Sequence, residues 1–236
     1  MSRPVTLFRN VVLTGACGGL GQALARELIG GGARVALVGL DTAALDALRA
    51  RAPERCAVYT PDVSNAAAMQ AMAADWTARH GVPDLVIANA GVAGGYDTGE
   101  AEDLAVFRRM LEINLLGAAT TFQPFLRAMQ AERRGALVGV ASLAGWRGLP
   151  GNGAYCASKA AGRTHIVLPR RIGWLSKALA LLPSALHDHI LRGQPRKPRV
   201  GEAGATPIPG LPTGTAPSVT AAPSTSATSQ ERPPQR

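Results

Sequence analysis

Up to about residue 160, short apolar runs alternate with longer runs of helical periodicity, and no other property of the chain restricts its fold as much. The strand-like runs lie at 11–14, 34–40, 56–60, 85–88 and 136–141. Helix-like runs lie at 19–29, through Leu45 and Leu48, at 66–79, and across 103–129 as one or two helices. Within the first helix Leu20, Leu24 and Leu28 share a face, and the glycines at 30, 31 and 32 end it. Strand, helix, strand in steady succession demands right-handed crossovers, hence a parallel sheet covered on both faces. The predicted class is α/β, a doubly wound parallel sheet.

The sequence TGACGGLG, residues 14–21, falls between the first strand and the first helix. Glycines at 15, 19 and 21 let the backbone turn tightly and bring a helix N-terminus against a pyrophosphate. The bland alternative is a tight connection and nothing more; its place inside a βαβ unit favours a dinucleotide. Gly15, Cys17, Gly18, Gly19, Leu20 and Gly21 are then the candidate contacts. Asp41 follows the second strand, where a carboxylate accepts hydrogen bonds from a ribose 2′-hydroxyl and repels a 2′-phosphate. The same residue is equally placed to cap the next helix. No Lys or Arg stands at 16–18 or 39–40, so NAD is favoured over NADP.

At the end of the fifth strand stands Ser142, and Tyr155 and Lys159 follow at i, i+4 spacing on a helix that starts near Gly153. Interconverting an alcohol and a carbonyl requires a proton to be given or taken at oxygen. A tyrosine hydroxyl ordinarily ionises near pH 10, about three units too high for a base at neutral pH. A lysine one turn away favours the phenolate. Ser142 is placed to hold the substrate oxygen near Tyr155. As a chance pair on a helix surface, Tyr155 and Lys159 would carry no chemistry.

In chain order the motifs are TGACGGLG, Asp62–Val63, Asn89–Ala90–Gly91, Asn114, Ser142 and YCASK from Tyr155 to Lys159. In that order they resemble the short-chain dehydrogenase/reductase family, a family of Rossmann-type, NAD(P)-binding oxidoreductases. The resemblance implies that Asn114, Ser142, Tyr155 and Lys159 are catalytic, with Asn114 supporting a water that leads to Lys159. It places Asn89, Ala90 and Gly91 along the cofactor, Asp62 and Val63 at its adenine, Lys159 at the nicotinamide ribose, and Tyr155 among the cofactor-binding residues. It also implies a small-molecule alcohol or carbonyl substrate and pairing of subunits into a homo-oligomer.

Past Lys159 the pattern departs from the family. Members continue into a sixth strand and a Pro-Gly turn that closes over the nicotinamide. Here the chain runs into RTHIVLPRRIGWLSKALALLP, as though an internal segment were lost and the sheet truncated after its fifth strand. The expected divisions are a catalytic domain at 1–164, a basic amphipathic helical segment at 165–194, and a disordered Pro-, Ser- and Thr-rich tail at 195–236. Residues 165–168 are a candidate edge strand.

The net charge of +9 raises the question of nucleic acid or a membrane surface. Much of it falls on 163–199, where a single aromatic, Trp174, stands among eight basic residues and offers little for stacking on bases, so no nucleic acid is expected. The stripe at 170–192 is read as packing before membrane contact. Three cysteines without CxxC spacing, and no apolar leader, point to the reducing cytoplasm. The four histidines show no metal-ligand spacing, so no metal is expected. Two rivals stand beside the oxidoreductase: a dinucleotide-binding pseudoenzyme, and a basic membrane-surface or nucleic-acid-associated protein.

Overall fold

The structure, a computed structural model, describes residues 8–161 other than 98, 147 and 150, together with Pro198 and residues 204–211. Five parallel strands form one sheet: β1 (Asn10–Thr14), β2 (Arg34–Val38), β3 (Cys56–Tyr59), β4 (Leu85–Ala88) and β5 (Ala136–Gly139), in the order β3-β2-β1-β4-β5. The helices are α1 (Gly19–Gly30), α2 (Thr42–Arg49), α3 (Ala66–His80), α4 (Asp103–Leu111), α5 (Gly117–Glu132) and α6 (Gly153–Ala161). This is the doubly wound, Rossmann-type arrangement that the alternation predicts.

Side chains alternate across a strand, so each buried strand feeds two cores. Val12, Ala36, Val38 and Val86 pack with Met69, Met72, Trp76, Met110 and Phe125 on the α3–α5 side. Val11, Leu13, Val35, Leu37 and Ile87 pack with Ile29, Leu45 and Leu48 on the α1–α2 side. Val11, Val12 and Leu13 are wholly buried, which explains why β1 reads as an unbroken apolar run.

The leucine face expected for α1 is off by one position. Its buried residues are Gly21, Ala25 and Ile29, while Leu20 is more than half exposed. Close packing of Gly21 on the preceding turn sets the rotation of the helix, and leucine periodicity alone does not register it. The run at 103–129 is two helices joined by a turn of π-helix, Glu112–Leu116. Strands β2 and β5 stop two residues earlier than their apolar runs.

The sheet edge also takes shape. Leu137 and Val138 of β5 are about 40% exposed, at 39% and 42%, and among the described residues nothing pairs with the outer edge of that strand. The candidate strand at 165–168, the basic segment at 163–199 and the stripe at 170–192 lie outside the described residues, apart from Pro198. Among the described residues no helix is long and apolar enough to cross a membrane.

One stretch departs from what composition predicts. Inside the span read as an unpacked tail, residues 204–211 lie on the fold, and Ile208 is 2% exposed in the α3–α5 core. An isoleucine and a leucine on either side of a Pro-Gly turn supply the apolar contact that the surrounding prolines and threonines lack. The rest of 195–236, Pro198 apart, is outside the described residues.

Candidate functional site

A groove of about 370 Å³ opens at the carboxyl ends of β1, β2 and β4. Ligands of open α/β sheets bind at that position, where the strand order reverses. Its floor is the glycine turn. Gly15 has φ +65°, and a side chain there would come within 2.7 Å of the Ala90 Cα. A side chain on Gly21 would collide with the Gly15 carbonyl. Gly18 caps α1 with no side-chain hydrogen bond, so the first N–H groups of the helix stay available to an anion.

The turn is laced to its neighbours. Gln22 Nε2 donates to the Cys17 carbonyl at 2.9 Å, and Asn89 Nδ2 donates to the carbonyls of Thr14 and Gly15 at 3.1 Å. The Thr14 hydroxyl in turn accepts from the N–H groups of Asn89 and Ala90. Gly15, Cys17, Gly18, Gly19, Leu20, Gly21, Asp62, Val63, Asn89, Ala90 and Gly91 all line the groove.

Asp41 does not line it. Its carboxylate accepts from the Ala44 N–H at 3.1 Å and caps α2, the second of the two roles open to it. Gly39 and Leu40 line the groove in its place, and the Cys17 sulfur lies where a side chain on Gly39 would go. Sequence reasoning missed both, along with Pro61, Val92, Ile113 and Pro209. The signal for Gly39 and Leu40 was their position directly after the last residue of β2.

Lys159 and Asn114 converge on Gly91. A side chain on Gly91 would lie 3.4 Å from the Lys159 Nζ and 3.2 Å from the Asn114 Oδ1. Lys159 is 9% exposed, donates to the Val140 carbonyl at 3.1 Å, and holds its ammonium 5.9 Å from the centre of the Tyr155 ring. Burial pushes its amine below the ordinary value of 10.5.

Asn114, in the π-helical turn, grips the Val92 backbone from both sides. Its Oδ1 accepts from the Val92 N–H at 2.7 Å, and its Nδ2 donates to the Val92 carbonyl at 2.9 Å. The same Nδ2 donates to Ser158 Oγ at 3.0 Å, and Ser158 donates to the Tyr155 carbonyl at 2.7 Å. Asn114 is therefore no surface amide, and Ser158 joins the site although the sequence reading passed over it. Its only signal was a small hydroxyl within YCASK.

Ser142 begins a 3-10 turn, Leu143–Gly145, and its Oγ accepts from the Ala144 N–H at 3.2 Å. That turn rests directly on α6, since a side chain on Gly145 would come within 2.6 Å of the Lys159 carbonyl. The buried Cys156 sulfur accepts from the Leu149 N–H, a packing role consistent with its spacer position.

At the far end of the groove, Asp62 Oδ1 accepts from the Ser64 N–H and hydroxyl at 2.9 and 2.7 Å, and Oδ2 accepts from Arg109. Burial pushes the Asp62 carboxyl up, but these hydrogen bonds outweigh it and hold the group below its ordinary 3.8.

Comparison with known proteins identifies the family. The family model described as short chain dehydrogenase matches residues 9–166. An uncharacterized oxidoreductase of Myxococcus xanthus (strain DK1622) is 41% identical over 156 residues, covering 65% of this chain and 61% of that protein. The chain thus spans about three-fifths of the length of the first such relatives, 61% and 62%. A cis-4-hydroxycyclohexanecarboxylate dehydrogenase of Sinomonas cyclohexanicum is 31% identical over 205 residues, 85% of this chain and 82% of its own. Among solved structures, a gluconate 5-dehydrogenase of Burkholderia cenocepacia J2315 in complex with NADP and tartrate superposes with a TM-score of 0.59. Its identity is 26%, over 66% of this chain and 62% of that one.

Proposed function

Because the chain belongs to the short chain dehydrogenase family, we propose that it is a cytoplasmic, NAD(P)-dependent oxidoreductase interconverting a small-molecule alcohol and its carbonyl. The observation that carries this reading is the convergence of Lys159 and Asn114 on Gly91, at the rim of a groove floored by side-chain-free turns. The groove suits a dinucleotide: Gly15 and Gly21 let the turn close tightly where a side chain would strike Ala90 or the Gly15 carbonyl, and the first N–H groups of α1 stay available to a pyrophosphate. When bound, the nicotinamide gives or accepts the hydride.

The chain's own residues move the proton. Tyr155 gives its hydroxyl proton to the carbonyl oxygen in reduction and takes the alcohol proton in oxidation. The Lys159 ammonium stands beside its ring, 5.9 Å from the ring centre. Ser142 holds the substrate oxygen. Asn114 clamps the Val92 backbone and anchors α6 through Ser158, so it fixes where Lys159 stands. Three free thiols and no disulfide fit a reducing compartment.

The sequence preference for NAD rested on Asp41, whose carboxylate caps α2, and on the lack of a Lys or Arg at 16–18 and 39–40. The uncharged Gly39 and Leu40 line the groove instead, and the reading therefore covers both NAD and NADP. The name of the Sinomonas relative suggests cyclic hydroxy acids as the first substrates to assay.

The test is Tyr155→Phe, which removes only the proton-transferring hydroxyl. Turnover with 4-hydroxycyclohexanecarboxylate or a panel of alcohols should fall about a hundredfold or more, while the affinity for NADH or NADPH holds. An unchanged rate in the variant overturns the assignment. Cofactor binding without turnover in the unaltered chain would make it a binding module.

A further inference from the structure

The turn at Ile208–Leu211 stands beside the groove with no role in the chemistry above. Leu211 donates to the Ile208 carbonyl at 3.1 Å to close it, and Gly210 takes φ +86°. Ile208 fills the space beside Gly94, where a side chain would come within 3.1 Å of its Cδ1, and Leu211 packs on the same core. Pro209, between them, is exposed to the groove.

Arg109 pins this turn in place. Its side chain is 13% exposed, and every edge of the guanidinium is engaged. Nε donates to the Pro209 carbonyl at 2.6 Å, one terminal nitrogen donates to Ser64 Oγ at 2.7 Å and Glu112 at 3.2 Å, and the other bonds Asp62. A planar, fully engaged guanidinium fixes direction as well as distance. One side chain thus joins the groove residue Asp62 to a stretch of chain 100 residues away.

We propose that Pro209, held by Ile208 and Arg109, is a wall of the nucleotide groove and grips the adenine end of the dinucleotide. This rests on the dinucleotide reading given above. Val63, Ile113 and Pro209 present uncharged aliphatic surface around the Asp62 carboxylate. Such a lining takes a flat heterocycle with a polar edge: the ring face lies on aliphatic groups, and an exocyclic amine meets the carboxylate. Asp62 Oδ2 accepts from Arg109, and a carboxylate oxygen has two acceptor sites. The wall comes from a part of the chain that composition marks as unpacked.

The test uses the full chain and three probes: ADP-ribose, which has adenine without nicotinamide; NADH, which has both; and reduced nicotinamide mononucleotide, which lacks adenine. Ile208→Asp unseats the turn, and Arg109→Met removes the pin but keeps an aliphatic stem. Both variants should bind ADP-ribose and NADH at least tenfold more weakly and bind the mononucleotide unchanged. Unchanged or tighter ADP-ribose binding overturns the proposal, as does an equal loss for all three probes. Amide hydrogen exchange needs no variant: ADP-ribose should slow exchange at Ile208, Gly210 and Leu211 in the unaltered chain, and no slowing counts against the wall. If the unaltered chain binds neither ADP-ribose nor NADH nor NADPH, the dinucleotide reading itself fails. If it binds them and both variants bind as tightly as the unaltered chain, only the wall is lost.

Discussion

The most instructive residue is Lys159. It sits on α6 with 9% of its surface exposed, so the folded state must hold an ammonium where water is scarce. Its folded value lies below 10.5, and between that value and 10.5 the unfolded chain binds more protons. Wild-type stability therefore rises with pH across that window. Lys159→Met removes the charge, and the variant should melt no lower than wild type at pH 7, with turnover lost. Its advantage should shrink as pH is raised towards 10.5. Thermal melts at several pH values check this, and a difference that is flat with pH contradicts it. At this scale the sequence was readable wherever the chemistry is local: Gly15 and Gly21 within one turn, Tyr155 and Lys159 one helical turn apart. It was ambiguous at Asp41, because a carboxylate after a strand serves a ribose and a helix cap equally well. The grip of Asn114 on Val92 was out of reach, since 22 residues separate them.

Among the elements, strands β1, β2 and β4 were legible because they are buried on both faces and so uniformly apolar. The junction of α4 and α5 was not. No Gly or Pro lies within the π-helical turn at 112–116, Gly117 at its end continues straight into α5, and Pro124, the obvious breaker, lies inside α5. That turn adds a residue to the helical register, and Asn114 lies within it, buried among the Val92 backbone and Ser158. Such bulges recur at functional sites. Strand β5 is the weak element. Its residues Leu137 and Val138 point to opposite faces and both are exposed, a pattern that invites pairing with another chain. Val138→Lys should reduce aggregation, measured by light scattering during concentration, while the melting temperature moves by no more than about 2 °C. Aggregation unchanged by the charge would place the sticky surface elsewhere.

For the whole molecule, composition divides the chain cleanly into a folded part and a Pro-rich remainder, and the structure crosses that division at 204–211. Bulk composition averages over a window and cannot register one isoleucine that fits a cavity beside Gly94 and Met110. The consequence is measurable. A chain ending at residue 199 loses the burial of Ile208, which contributes about 1.5–3 kcal/mol, and should melt about 3–10 °C lower. A midpoint unchanged by the truncation would mean that this turn adds nothing to the fold. The bond between Arg109 and Pro209 also sets a timetable. Its partners lie 100 residues apart, and a ribosome adds about 5–20 residues each second. Arg109 is therefore made about 5–20 s before the residue that completes the wall beside it, and the glycine turn and Asp62 are made earlier still. During that interval the nascent chain carries an apolar notch at Met110 and Gly94 with Ile208 still to be synthesised. A slow stretch of translation in this region would lengthen the exposure of that notch to chaperones and proteases, without changing a single residue of the finished protein.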